Sequence, residues 1–272
     1  MDLNYWHKQK TSEPLYPDVA WSQPQNEKFA GKLLIIGGHA QAFMAAAEAY
    51  TMAQAAGIGA ARVLLPDSLQ KLVGRGFAAG EFAPSTPVGS FSQAALASFV
   101  DLALWSDGVL VAGDVGRNSE TAIVLERFLD KFSGQVTITK DAADLIVQQP
   151  LSILQRPNTL LVLSSGQLKR LGISAHFPRA FTSSAALLQV IENLYEFTKR
   201  YTCTIITRHN GQYIVAMDGK ISTTQPETEQ AIWRLHVAAE AATWWLQQPT
   251  KSFEALTTSL FTSFSTKRAA DF

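Results

Sequence analysis

Cysteine occurs once, at Cys203 in an apolar, strand-like run, so the chain has no disulfide framework and the thiol is expected to be buried. Charge is sparse and balanced. The 23 basic and 23 acidic residues leave a formal net charge of +0, and no block of one sign occurs. A nucleic acid or an anionic membrane surface is therefore not an expected partner. No apolar run approaches the ~18 residues needed to span a bilayer, and the N-terminal stretch has no apolar signal-peptide core. A cytoplasmic location is expected. His7, His39, His176, His209 and His236 have no ligand spacing with one another or with Cys203, so no structural metal is expected. Neither G-x-S-x-G nor G-x-x-x-x-G-K-[ST] occurs, which leaves out the usual hydrolase nucleophile and the P-loop.

An apolar content of 47% over 272 residues suffices for a full core, and one large α/β domain is expected. The most informative stretch is 107–146, DGVLVAGDVGRNSETAIVLERFLDKFSGQVTITKDAADLI. Val109 to Ala112 suits a strand covered on both faces, and Gly113 and Gly116 allow a sharp turn. Asn118 or Ser119 can cap the following helix. Glu120 lies in its first turn, and Ile123, Val124, Phe128 and Leu129 repeat at helical spacing before Gly134. Val136 to Thr139 returns as a strand. The result is a βαβ unit, which presents ligands at the carboxyl ends of its strands, here 113–118 and 140–141.

Residues 1–30 read as an extended arm rich in proline and aromatics, which can pack on the domain or on a neighbouring subunit. Lys32 to Ile36 is a strand, Gly37-Gly38 a turn, and 40–56 an alanine-rich helix stopped by Gly57. Ala61 to Leu65 is the next strand, 69–88 reads as a glycine- and proline-rich excursion, and 93–105 as an amphipathic helix. Thr159 to Leu163 is a further strand, followed by a turn at 164–166 and a helical segment to Leu171. A helix covers 185–200. Three short strands near 203–207, 213–217 and 220–223 follow, joined by Asn210-Gly211 and Asp218-Gly219, dipeptides that suit tight hairpins. Helices near 227–248 and 252–265 close the domain, so the division is arm 1–30, domain 31–265 and tail 266–272.

Candidate chemistry sits in the turns. Gly38 and His39 follow a strand and open a helix, where unpaired N–H groups can meet an anion, though a simple tight turn explains them equally. Arg117 can hold a phosphate and Asp114 a ribose hydroxyl, or the two can pair with each other. Lys140-Asp141 and Ser164-Ser165-Gly166-Gln167 occupy equivalent positions after the next two strands, with salt-bridge and helix-cap readings beside the ligand reading. Trp233, Trp244 and Trp245 read as core or oligomer contacts.

The order of these pieces resembles the ADP- or ATP-dependent NAD(P)H-hydrate dehydratases, relatives of small-molecule kinases. The resemblance runs from about Gly31 to Phe261. LLIIGGHAQAFMAAAEAYTMAQAAGIGAARVLLP looks like the family's opening strand, double glycine and helix. DGVLVAGDVGRNSETAIVLERFL is similar to its D-x-x-V-I-G-P-G-L-G-R segment, VTITKDAADLI to V-V-L-D-A-D-A-L-N-L, and LLVLSSGQLKRL falls at L-T-P-H-P-G-E-F-x-R-L. The resemblance implies a ribokinase-like α/β fold: a mostly parallel sheet, helices on both faces and an antiparallel edge near the C-terminus. It also implies ADP or ATP as a ligand.

The departures fall on working residues. Where the family has G-[ST]-G-D before its long C-terminal helix, this chain reads TTQPETEQAIWRLHV, and Glu229 or His236 lies nearest the place of the catalytic aspartate. The H-P-G-E motif has become Ser164 to Gln167, and Arg208-His209 stands where a lysine-glycine is expected. The leading expectation is a dehydratase-like protein that binds a nucleotide or other phosphate-bearing small molecule through Gly38, His39, Asp114, Gly116, Arg117, Asn118, Lys140, Asp141, Ser164, Ser165, Gln167 and Arg208. Its ancestral dehydration is expected to be weak or lost. The alternatives are an active carbon–oxygen lyase using Glu229 or His236, and a non-catalytic homo-oligomeric interaction protein.

Overall fold

The computed structural model describes residues 3–148, 150–226 and 233–264. In chain order the elements begin with strand β1 (Trp6–Gln9), helix α1 (Pro17–Trp21), β2 (Lys32–Gly37), α2 (Met44–Ala55) and β3 (Ala60–Pro66). Then come α3 (Gln70–Val73), β4 (Gly80–Ala83), α4 (Leu96–Trp105), β5 (Gly108–Gly113), α5 (Ser119–Lys131) and β6 (Gln135–Thr139). They continue with α6 (Lys140–Ile146), α7 (Leu151–Gln155), β7 (Thr159–Leu163), α8 (Ser165–Ser174) and α9 (Leu187–Arg200). The last are β8 (Thr204–His209), β9 (Gln212–Met217), β10 (Lys220–Thr224), α10 (Arg234–Gln247) and α11 (Ser252–Phe264).

These strands form one ten-stranded sheet in the order β1-β10-β9-β8-β7-β6-β5-β2-β3-β4. Its central pairs are parallel, and β9 runs antiparallel to both neighbours. The two expected dipeptides make the hairpins, with positive φ at Asn210, Gly211, Asp218 and Gly219, the conformation such tight turns need. Successive side chains on a strand alternate between faces, which divides the core in two. Leu34, Ile36, Val109 and Val111 face a layer that includes Phe99, Phe128, Leu171 and Phe197 from α4, α5, α8 and α9. Leu33, Ile35, Leu110 and Ala112 face α2, α10 and α11. The buried residues of α2 are all alanines, so this helix lies close to the sheet. Helices thus cover both faces, as the apolar runs of the central strands require.

Two strands lie in segments that read as loops. Gly80–Ala83 adds parallel to β3 inside the glycine- and proline-rich excursion, and Trp6–Gln9 adds parallel to β10 within the N-terminal arm. Each has four residues and no apolar run, so periodicity alone does not mark it. Tertiary hydrogen bonds hold β1 instead: buried Gln9 donates to Thr224 Oγ1 (2.9 Å) and the Thr257 carbonyl (2.8 Å), and accepts from Leu15 N–H (3.0 Å). Trp233, Trp244 and Trp245 are buried in their own chain, and Cys203 is buried too. Among the described residues no helix is long and apolar enough to cross a membrane.

Candidate functional site

The sheet order places the carboxyl ends of β8, β7, β6, β5 and β2 side by side, and the turns singled out in the sequence lie along that edge. At one end, β2 and β5 come very close. Gly38 N–H donates to the Gly113 carbonyl (3.1 Å), and a Cβ on Gly37 would lie 2.6 Å from that same oxygen. Residues 39–42 form a tight turn in which His39 and Ala42 exchange backbone bonds (2.8 and 3.0 Å). α2 therefore begins at Met44 rather than Ala40. No side chain next to α2 caps it, and Asp114 from the β5 turn does so by accepting from Ala45 N–H (2.8 Å).

Asp114 stands at φ 55°, and its other oxygen accepts from Lys140 Nζ at 2.9 Å. Its carbonyl accepts from His39 Nδ1–H (2.8 Å). Asp114 thus pairs with Lys140, not with Arg117. Gly116 N–H donates to Asp141 Oδ2 (3.0 Å), while the enclosed Asp141 Oδ1 has no hydrogen-bond partner. Gly113, at φ +105°, makes this packing feasible, since a Cβ there would lie 2.6 Å from Lys140 Cβ and 2.8 Å from Asp141 Oδ1.

Gln167 is the hub of the next two turns and is 2% exposed. With Ser164 it forms a reciprocal cap on α8: Gln167 N–H donates to Ser164 Oγ (3.2 Å), and Ser164 N–H donates to Gln167 Oε1 (3.0 Å). Its amide also donates to the Lys140 carbonyl (2.6 Å) and Asp144 Oδ1 (3.0 Å), and Oε1 accepts from Arg234 Nη1 (2.7 Å). Burial pushes the Arg234 guanidinium below the usual arginine value, against the opposing pull of Asp144 and Asp141. Arg170 pairs with Asp144.

Lys140, Arg170 and Arg234 thus work within the protein. Asp144 and Arg234 were not candidates in the sequence. Asp144 repeats Asp141 at i+3 on one face of α6, a signal available locally. Arg234 carries none, because its partner lies 67 residues away on another element.

Asn118 caps α5 by accepting from Glu120 N–H (2.8 Å). Arg117 is exposed and has no partner among the described residues. With Asn118 and Asp141 it lines a groove of about 730 Å³ bounded by α5, α6, α7 and α8. Ser165 and Arg208 lie beside a much smaller cavity, about 10 Å³, at the end of β8, and the Arg208 guanidinium stands 5.6 Å from the Tyr213 ring centre. His236 Nε2 is 3.7 Å from Glu240, whose carboxylate accepts from Thr262 (2.6 Å) and Ser263 (2.7 Å). The histidine contact lies within α10, and the two hydroxyl bonds join α10 to α11. Glu229 and the tail 266–272 lie outside the described residues, as does the start of the expected helix at 227. Among the described residues no group of three or more His, Cys, Asp or Glu is arranged to hold a metal ion.

No protein-family model matches the chain, and no curated protein matches it. Solved structures do. A ribokinase-like superfamily protein from Enterococcus faecalis V583 superposes with a TM-score of 0.73 at 13% identity, covering 97% of this chain and 88% of its own. A hypothetical protein from Streptococcus mutans gives 0.65 at 15% identity, covering 90% and 86%. The ADP/ATP-dependent NAD(P)H-hydrate dehydratase from Bacillus subtilis, co-crystallised with ATP/Mg2+, gives 0.61 at 12% identity, covering 92% and 87%.

Proposed function

On the ribokinase-like fold that these likenesses establish, we propose that the protein binds a nucleotide or a related phosphate-bearing small molecule along the carboxyl edge of its sheet. We further propose that ATP- or ADP-driven dehydration of hydrated NAD(P)H is weak or lost. The observation that carries the binding reading is the alignment of five turns, after β2, β5, β6, β7 and β8, at one sheet edge. Crevices at such edges are where open α/β sheets take ligands. The B. subtilis dehydratase with ATP/Mg2+ shares the fold.

The residues fit a single anionic group better than a chain of phosphates. Lys140 and Arg170 are each paired with an aspartate, and Arg234 is engaged by Gln167, so their charge is already partly spent inside the protein. Arg117 has no such partner among the described residues and can offer its planar fork to one phosphate or carboxylate. The loss of turnover is supported by Gln167 and Ser164. They stand where the dehydratase motif has a carboxylate and an imidazole, and they bond to each other. Neither is a proton carrier near neutral pH.

The enzyme reading needs Glu229 or His236 as acid or base, and the His236–Glu240 pair would have to break for His236 to take part. The oligomer reading loses the tryptophan-bearing helix as a contact surface, since those rings are buried within the chain.

The test is thermal unfolding with ADP, ATP, NADH and NADPH, each titrated. A ligand at ~100 times its dissociation constant adds about 2.7 kcal/mol of stability. A saturable shift with an adenine nucleotide supports the reading, and no shift with any of the four refutes it. Turnover of hydrated NADH would refute the loss of activity.

A further inference from the structure

The groove beside α5 has a chemistry that a nucleotide does not explain. On α5 it is lined by Ser119, Ala122, Ile123 and Glu126, which share one side of the helix at i, i+3, i+4 and i+7, beside the buried stripe of Thr121, Val124, Leu125 and Phe128. The opposite wall carries more aliphatic surface, including Ile173 of α8, which is 64% exposed. At about 730 Å³ the groove is the size of a small-molecule site.

Of its charged residues, Asp141, Asp144 and Arg170 have partners within the protein. Arg117 and Glu126 have none among the described residues. They stand at separate points along the trough. Arg117 precedes α5 and Glu126 lies about two turns into it, and no ion pair joins the two among the described residues.

We propose that this groove binds an elongated amphipathic zwitterion, with its anionic group at Arg117, its ammonium group at Glu126 and an aliphatic body between them. An apolar trough with an unpaired cation at one point and an unpaired anion further along is complementary to that shape and charge order. A polyanion would meet Glu126 as a like charge. The inference shares Arg117 with the nucleotide reading and otherwise rests on different residues.

The experiment is isothermal titration of the full chain with 8-aminooctanoate, octanoate and suberate, three eight-carbon probes that differ at one end. Saturable one-site binding is expected, tightest for 8-aminooctanoate and weakest for suberate. Removing one exposed charge contact by Arg117→Gln should weaken all three about threefold to fivefold. Glu126→Gln should abolish the preference for 8-aminooctanoate over suberate and leave octanoate unchanged. Ile173→Asp, at an exposed position, should weaken all three without lowering the unfolding midpoint. No saturable binding of 8-aminooctanoate, equal binding of suberate, or affinities unmoved by these variants would overturn the proposal. An ADP-induced thermal shift unchanged in Glu126→Gln and Ile173→Asp bears on the nucleotide reading alone, so either idea can fail without the other.

Discussion

Replacing Gln167 by glutamate tests whether this position is structural. The change restores the carboxylate of the dehydratase-like motif and keeps the size of the side chain. In the protein as it stands, the Gln167 amide nitrogen donates to the Lys140 carbonyl at 2.6 Å and to Asp144 at 3.0 Å. In Gln167→Glu an oxygen takes that place and faces two acceptors. With an effective dielectric constant of ~20, repulsion from the Asp144 carboxylate at that distance is about 5 kcal/mol, and attraction to Arg234 on the other oxygen is of similar size. Those two contributions roughly cancel. What remains is two lost donors and the burial of a charge, at about 1–3 kcal/mol for a group left unsatisfied.

Gln167→Glu should therefore destabilise the fold by about 2–4 kcal/mol at pH 7 in urea unfolding. With Asp144 and Arg234 offsetting each other, burial, and the Lys140 carbonyl that only a protonated carboxyl can meet, raise the new group above its ordinary value of ~4.3 in the folded state. The folded protein then holds the proton more tightly than the unfolded chain, so the deficit shrinks as pH falls from 7 toward 5. Gln167→Ala, which adds no charge, should show a deficit independent of pH over that range. A glutamate variant as stable as the parent at pH 7, or a deficit that grows on acidification, would refute the hub assignment.

Gly113→Ala should cost about 2 kcal/mol or more, because the backbone there is at φ +105° and the added Cβ would meet Lys140 Cβ at 2.6 Å; the unfolding midpoint measures it. The Cys203 thiol, pushed up to about 12 by burial, should resist an aromatic disulfide reagent at pH 8 in the native protein and react fully in denaturant. Fast labelling of the native state would mean the strand around Cys203 opens far more readily than its burial implies.

The local signals that succeed do so because they act over a few residues. Asn118 caps α5 and Asn210-Gly211 closes a hairpin with no help from distant chain. The apolar runs in β2 and β5 require cover on both faces, and the helices provide it. The order of strand, turn and helix was enough to suggest a mostly parallel sheet with an antiparallel β9, and with it the row of turns at one edge.

Only the tertiary structure decided how those turns are occupied. Asp114 caps a helix through the N–H of Ala45, 69 residues earlier, and Gln167 receives an arginine from a helix 67 residues later. Likewise β1 becomes a strand only because β10, more than 200 residues away, offers it a free edge. Hydrogen bonds and ion pairs are short-ranged in space but indifferent to separation along the chain. Composition and spacing could therefore nominate polar residues for a site. Which of them are already bound to each other depends on the packing of distant elements.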